Sequence, residues 1–255
     1  MNREVFGLNI HYVEEGEGEL VVLLHGWGSN IELFQPTVDT LKGKYRVVAM
    51  DMPGFGQSEE PDEPWTVDNY VDFLLAFLAP YRPDKVILLG HSFGGRVIIK
   101  LCARELPFEV DKVILVDAAG VLPERSPWEK FKQKLIKLTK RFFQLSIIQK
   151  LFPHVLEALR RRSGSADYNA ATPVMRRTLV KVVNEDLCDL MPHVTCPALL
   201  IWGTADTATP LSDAVKMNSL MPESAIVKLE GAGHFSFLEQ QPRYLRILAS
   251  FLNVT

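Results

Sequence analysis

Six short apolar runs, separated by segments of helical pattern, constrain the fold of this chain more than any other feature. They lie at 20–24, 45–49, 85–89, 112–116, 198–202 and 225–229. Val, Ile and Leu dominate these runs without regular polar alternation, which is typical of parallel strands covered by helices on both faces. Helical patterns at 66–79 and 94–106 fall between them. The sequence therefore predicts an α/β fold with a doubly wound, mostly parallel sheet.

The first stretch of the chain, at 4–13, has a different pattern. It ends in an acidic, glycine-bearing segment, EEGEGE. Glycine at such a point favours a turn. We expect an antiparallel hairpin here that leads into the sheet.

A long interval between the runs at 112–116 and 198–202 contains no convincing strand. Apolar residues recur within it at spacings of three and four, which is typical of one face of an amphipathic helix. They are Trp128, Phe131, Leu135, Leu138 and Phe142. Further helices are predicted at 145–162 and 173–187. We therefore expect an all-helical cap at 121–190, inserted into a core domain formed by 1–120 and 191–255.

Composition and charge exclude several classes of protein. A net charge of −3 gives no general affinity for nucleic acid or a membrane surface. The start, MNREVFGLNIHY, lacks the apolar region of a secretory signal, and no apolar stretch approaches the ~20 residues that span a bilayer. Cys102, Cys188 and Cys196 are not in metal-binding spacing, so we expect three buried thiols. The sequence predicts a cytoplasmic protein that does not bind nucleic acid.

The segment LLGHSFGGRV at 88–97 places Ser92 among glycines directly after a predicted strand. Its GHSFG core matches the G-x-S-x-G nucleophile elbow in the strand–turn–helix setting that this motif requires. A serine on so sharp a turn has strained backbone geometry, so the residues two before and two after it must be small. A buried structural serine has no need of these glycines. The pattern predicts a nucleophile at the carboxyl edge of the sheet.

A serine hydroxyl needs a base to take its proton and a carboxylate to orient that base. Of the six histidines, His234 stands in GAGHFSF, directly after the last predicted strand and on the same edge as Ser92. Asp206 in WGTAD also ends a strand, and it falls between serine and histidine in chain order. Asp117 is the alternative acid, with a turn or cap residue as its other interpretation. The pattern favours Ser92, Asp206 and His234 as the catalytic set.

Acyl transfer also requires hydrogen-bond donors for the oxyanion that develops on the substrate. The glycine-rich segment HGWG at 25–28 follows a predicted strand. We expect the backbone N–H groups of Trp27 and Phe93 to form this oxyanion hole.

Five motifs occur in the order found in the α/β-hydrolases with a helical cap, and the chain resembles that family over nearly its whole length. The motifs are HGWG at 25–28, DMPGFGQS at 51–58, GHSFGG at 90–95, WGTAD at 202–206 and GAGHF at 231–235. The resemblance implies a hydrolase with no metal and no organic cofactor, in which DMPGFGQS is a structural turn. It does not extend to the dehalogenase and epoxide-hydrolase members, which have aspartate at the position of Ser92. The chain is also similar to the methyl ester esterases that act on carrier-protein-bound acyl chains, but those have tryptophan at the position of His91.

Positive charge is concentrated in the predicted cap. Residues 121–165 contain eleven Lys and Arg against three Glu, although the whole chain is acidic. A solvated helix face is one interpretation. An acidic partner, an anionic substrate or an anionic membrane surface are the others.

These observations predict a serine hydrolase that forms an acyl-enzyme, most simply a carboxylesterase acting on a small or medium acyl ester. Fold and triad do not identify the substrate, so thioesterase, lactonase, carbon–carbon bond hydrolase and aminopeptidase activity stay as alternatives. A receptor that binds its ligand without turnover is an alternative of another class. An oriented base argues against it, because a binding protein has no use for one. The sequence makes no prediction of oligomeric state.

Overall fold

Eight strands form one sheet in the computed structural model of the protein, which describes residues 1–122 and 166–254. They are β1 Asn2–Val5, β2 Leu8–Glu15, β3 Leu20–Leu24, β4 Arg46–Met50, β5 Lys85–His91, β6 Glu109–Val116, β7 Ala198–Gly203 and β8 Ser224–Leu229. Their order across the sheet is β1-β2-β4-β3-β5-β6-β7-β8. Neighbours from β4 to β8 are parallel, whereas β2 is antiparallel to both β1 and β4. The predicted mostly parallel α/β sheet is confirmed.

The strands form where the apolar runs lie because both faces of the sheet are covered. All five residues of β3 and all six of β7 are buried. The strand β6 starts three residues earlier than predicted, at Glu109. Its first residues pair with β5 but are less buried, so they do not have the apolar pattern from which strands were predicted.

The hairpin at the start of the chain turns at Phe6 and Gly7, which have φ values of 55° and 76°. The EEGEGE segment is not a hairpin turn. It connects β2 to β3, which are not neighbours, because β2 pairs with β4 through a register that aligns Tyr12 with Met50. The expected antiparallel element is therefore β1 with β2 at the edge of the sheet.

Eight α-helices occur in the described ranges. They are α1 Gln35–Leu41, α2 Val67–Leu78, α3 Phe93–Cys102, α4 Ala166–Ala170, α5 Pro173–Val183, α6 Leu211–Leu220, α7 Ser236–Glu239 and α8 Gln241–Phe251. Helix α2 begins at a capping box, in which Thr66 and Asn69 each bond the backbone N–H of the other. Helices α1 and α8 pack together on one face of the sheet, and α2 packs with α3 on the other. The sheet is thus doubly wound, as predicted.

The strands β3 and β5 are neighbours, although β4 lies between them in sequence. After β3 the chain forms β4 next to one edge of β3, and it then crosses over to form β5 next to the other edge of β3. The loops that follow these two strands therefore diverge. In doubly wound sheets, the crevice at such a switch point is where ligands bind.

The chain divides into two compact units, Met1–Val121 with Pro173–Thr255, and Leu122–Thr172. The helix predicted at 173–187 is α5, and it belongs to the unit that contains the sheet. The helices predicted at 128–142 and 145–162 lie outside the described residues, as do the basic residues of 123–165. The cap therefore stays a prediction.

Two further expectations concern membranes and thiols. No helix within 1–122 and 166–254 has the length and apolar character needed to cross a bilayer. Cys102, Cys188 and Cys196 are unpaired, but each is partly exposed rather than fully buried as predicted.

Candidate active site

Ser92 lies on a sharp turn between β5 and α3. Its backbone has φ 49° and ψ −109°, a conformation that residues other than glycine rarely adopt. A Cβ atom on Gly94 would lie 2.1 Å from the carbonyl oxygen of Leu24, and one on Gly90 would lie 2.6 Å from the backbone of Gly94. Only glycine fits at these two positions. The turn therefore holds the hydroxyl at the carboxyl edge of the sheet, as the GHSFG motif predicts.

The structure brings the three predicted catalytic side chains together. The Nε2 atom of His234 lies 2.9 Å from the Oγ of Ser92, and its Nδ1 atom lies 2.8 Å from Oδ2 of Asp206. His234 follows β8, and Asp206 follows β7. Because a carboxylate only accepts, the Nδ1 atom carries the proton, and Nε2 is free to accept the Ser92 hydroxyl proton.

The carboxylate of Asp206 is held by its own turn. Its Oδ1 accepts the N–H groups of Ala208 at 2.7 Å and Thr209 at 3.0 Å, and its Oδ2 accepts the Thr209 hydroxyl at 2.7 Å. Burial raises the pKa of Asp206, but the hydrogen bonds from His234 and Thr209 outweigh burial and lower the pKa overall. Asp206 is therefore ionised at neutral pH. Thr209 is a further residue of the site that was not predicted from the sequence, although an aspartate with threonine three residues later is a local turn signal.

The alternative acid, Asp117, makes no hydrogen bond to His234 in the described part of the chain. Its Oδ1 accepts the N–H of Gly203 at 2.8 Å, and its Oδ2 accepts the N–H of Ser236 at 3.2 Å and the hydroxyl of the same residue. Burial raises the pKa of Asp117 to about 7, against the hydrogen bonds from Ser236 and Gly203. Asp117 therefore connects backbone segments, which agrees with the turn or cap interpretation.

The loop after β3 has an orientation that is determined by His25. This side chain is buried, and its Nε2 accepts the N–H of Met52 at 2.9 Å. Its Nδ1 atom therefore carries the proton and donates to the carbonyl of Gly26 at 2.7 Å. In a trans peptide the C=O and the following N–H point in opposite directions. The Gly26 carbonyl also accepts the N–H of Ser29 at 3.2 Å, so His25 and Ser29 together determine the direction of the Trp27 N–H.

The backbone N–H groups of Trp27 and Phe93 are the predicted oxyanion donors. Neither donates a hydrogen bond to another group in the ranges that the structure describes. The two side chains pack edge to face at 5.5 Å, and each also contacts Phe55. The aromatic contact keeps the two loops that carry these donors in register.

His91, next to the nucleophile, also contacts the base. Its Nε2 donates to the carbonyl of His234 at 2.8 Å, and its ring lies against that of Phe235. Its Nδ1 atom is buried beside Gly26, and no hydrogen-bond partner for it occurs among the described residues. Burial lowers the pKa of His91 to about 3, and the neighbouring His234 contributes to this. His91 is therefore neutral, and it is too weak a base to replace His234.

The described ranges contain no group of three His, Cys, Asp or Glu side chains that could hold a metal ion.

The Asp51 carboxylate accepts the N–H groups of Ile31 at 2.8 Å and Gln57 at 2.9 Å. This agrees with the structural role expected for DMPGFGQS.

Comparisons with known proteins place this geometry in context. The sequence model of the protein family described as alpha/beta hydrolase fold matches residues 19–241. AB hydrolase superfamily protein YisY of Bacillus subtilis strain 168 is 26% identical over 262 residues, which cover 95% of each chain. Pimeloyl-(acyl-carrier protein) methyl ester esterase of Aliivibrio fischeri strain MJ11 is 27% identical over 260 residues, covering 96% of this chain and 98% of that protein. An esterase of Exiguobacterium antarcticum superposes with a TM-score of 0.77 at 24% identity, over 99% of this chain and 98% of that one, which indicates a shared fold.

Proposed function

The chain belongs to the alpha/beta hydrolase fold family, and from this premise we propose that it is a serine hydrolase that cleaves a carboxylic ester of a small or medium acyl group. The observation that supports the proposal most directly is the continuous hydrogen-bond chain from Ser92 through His234 to Asp206, with lengths of 2.9 Å and 2.8 Å. A nucleophile, a base and an orienting acid in this order are what acyl transfer requires.

In the proposed reaction, His234 Nε2 takes the proton of Ser92 as Oγ attacks the ester carbonyl carbon. The C–O bond to the alcohol then breaks, and His234 returns the proton to the leaving oxygen. Water, deprotonated by the same nitrogen, then attacks the acyl carbon, the bond from that carbon to Ser92 Oγ breaks, and His234 returns the proton to Oγ as the acid leaves. Asp206 stays ionised throughout and stabilises the imidazolium.

The negative charge on the tetrahedral intermediate is assigned to the backbone donors of Trp27 and Phe93. The carbonyl of Gly26, held by His25, directs the first donor before substrate arrives. Donors that are already oriented need no reorganisation during the reaction, and each contributes about 3 kcal/mol to stabilisation of the transition state.

An ester is the substrate class we favour because relatives of this family with related sequence or fold include esterases. Those relatives share about a quarter of their residues with this chain, so acyl length and leaving group are open to assay. The wall formed by Trp27, Phe55 and Phe93 beside the serine is apolar and suits an acyl group rather than a charged one.

The proposal is tested with Ser92→Ala and His234→Ala. Each variant should lose turnover of a nitrophenyl ester on the order of a million-fold, because the three side chains act as a unit. Ser219→Ala is the matched control, since this serine is exposed on α6 and donates to the Lys216 carbonyl of its own helix. A fluorophosphonate should label the wild type and the control but not Ser92→Ala. A Ser92→Ala variant with a tenth of wild-type turnover would rule out the mechanism.

The substrate class is tested with a panel of matched esters, thioesters, lactones and aminoacyl amides over several acyl lengths. We expect the highest kcat/KM for esters. A preference for another member of the panel would change the substrate class and leave the serine mechanism in place. Stoichiometric binding without turnover of any member would instead favour a receptor.

A further inference from the structure

Asp117 is a buried carboxylate that the proposed reaction does not use. It directly follows β6, its side chain is fully buried, and its backbone N–H continues the ladder to β7 by donating to Ile201 at 3.0 Å. Its φ value is 44°, in the left-handed region. Residues other than glycine hold that conformation only where the surroundings impose it, and such residues concentrate at functional sites.

The hydrogen bonds of Asp117 reach both segments that hold the acid–base pair. Gly203, which donates to Oδ1, lies three residues before Asp206. Ser236, which donates to Oδ2 through its N–H and its hydroxyl, lies two residues after His234. The carboxylate therefore spans the gap between the loop of the acid and the loop of the base.

A third contact comes from the backbone of the same residue. The Oγ1 atom of Thr209, whose proton goes to the closer Asp206 carboxylate, also lies 3.0 Å from the carbonyl oxygen of Asp117. That hydroxyl also lies 2.7 Å from Oδ2 of Asp206 and 3.2 Å from Nδ1 of His234. The position of Asp117 is thus linked to the geometry of the Asp206–His234 hydrogen bond through a single intervening side chain.

We propose that Asp117 is a positioning residue, whose carboxylate sets the separation between the loop of Asp206 and the loop of His234. It touches neither the nucleophile nor the reacting atoms. The inference rests on the proposed function, because the separation of these loops matters for turnover only if His234 is the base.

The ionised form is the one that fits the three donors. A carboxylate can accept from Gly203 N–H and from both groups of Ser236 together. A protonated carboxyl group, or an asparagine amide, presents a donor to the N–H of Ser236 and loses that bond. Burial raises the pKa of Asp117 to about 7, and the negative charge of Asp206 raises it as well. Both forms are therefore accessible near neutral pH.

Asp117→Asn is the central variant, because it keeps the shape of the side chain and copies the hydrogen-bonding of the protonated form. Ser236→Ala removes the hydroxyl on the other side of the same contact. Asp111→Asn is the matched control, since Asp111 lies on the same strand but at its amino end, paired with Lys112. Fluorophosphonate titration carried to completion counts the folded, competent sites, so kcat is expressed per competent site.

We expect Asp117→Asn to lower kcat by about 10- to 100-fold with KM changed less than about threefold, as for other groups that orient a catalytic side chain. Ser236→Ala should lower kcat less. The double variant should be at most about twofold slower than Asp117→Asn, because both substitutions act on the same contact. The downfield proton resonance of the His234 Nδ1–H should shift or broaden in Asp117→Asn and stay unchanged in Asp111→Asn.

A merely structural role predicts a different result. Asp117→Asn would then melt at a lower temperature, but its kcat per titrated site and its Nδ1–H resonance would equal those of the wild type. A wild-type kcat per titrated site, a wild-type Nδ1–H resonance, or an equal loss of kcat in Asp111→Asn overturns the inference. Full turnover by Ser92→Ala would overturn the proposed function instead, so the two failures are distinguishable.

Discussion

Asp206 accepts the Nδ1–H of His234 over 2.8 Å, and the same carboxylate receives two backbone N–H groups from its own turn. This arrangement places the free lone pair of the imidazole on Nε2, toward Ser92. An amide at position 206 would donate to Nδ1 and move the imidazole proton to Nε2, where it would block transfer from the serine.

Asp206→Asn is therefore expected to lower kcat by roughly ten-thousand-fold, with the protein folded. Asp213→Asn is the control, because that aspartate is partly exposed on the neighbouring helix α6. Steady-state turnover of a nitrophenyl ester measures both. Asp117→Asn should impair turnover far less than Asp206→Asn, and the reverse order would transfer the role of the acid to Asp117.

His25→Phe should lower kcat by about 10- to 100-fold and leave KM within a few-fold. The phenyl ring fills the same space but cannot donate to the Gly26 carbonyl, which keeps only the longer bond from the Ser29 N–H, so the Trp27 N–H is held less firmly. Interactions made mainly in the transition state act on kcat rather than on KM. Single-turnover acylation measures this step directly. The exposed His193 provides the control substitution His193→Phe, and a change confined to KM would contradict the role given to His25.

His91→Phe should make the protein less sensitive to acid. Burial lowers the pKa of His91 to about 3, so the unfolded chain binds a proton between about pH 6.5 and 3 that the folded protein does not. The free energy of unfolding of the wild type therefore falls over this window as the pH falls, by an amount on the order of 5 kcal/mol from this group. Urea unfolding at pH 7 and pH 4.5 tests the difference. If His91→Phe kept the full wild-type decline, the histidine would be charged or solvated in the folded state.

Asp117→Asn should show the opposite dependence. The folded pKa of about 7 is raised above the ordinary value of 3.8, so the stabilisation from this group is complete below pH 3.8 and is lost as the pH rises through 7. The neutral amide does not lose it. The variant should therefore gain stability relative to the wild type between pH 5 and pH 8.5, by at most about 3 kcal/mol. Chemical denaturation at these two pH values measures the gain, and a relative loss at pH 8.5 would mean that the donors outweigh burial.

This last prediction connects stability to function. The buried carboxylate of Asp117 is costly to ionise, yet its ionised form makes the contacts between the loop of Asp206 and the loop of His234. Proteins commonly accept such a loss of stability at sites that position reacting groups. If Asp117→Asn is both more stable at alkaline pH and slower in turnover, the two effects have one cause.

The sequence by itself determined the strands and the candidate nucleophile. Hydrophobic runs such as LVVLL at 20–24 and KVILL at 85–89 are local signals, and they mark β3 and β5 wherever these strands pair. The geometry of the turn at Ser92 is also local, because glycines two residues before and after it are required by close contacts within one strand–turn–helix unit.

The tertiary structure alone decided the distances and hydrogen bonds through which these groups meet. The sequence favoured Asp206 over Asp117 from chain order, and the structure places Asp206 beside His234. The sequence did not indicate that β2 pairs with β4 or that His25 holds the Gly26 carbonyl. Ser92 and His234 are 142 residues apart, and their contact depends on strand order and on the packing of every layer between them. Hydrophobic periodicity reports whether a segment is buried, but a hydrogen-bond partner is selected by distances of a few tenths of an ångström, which only the assembled fold establishes.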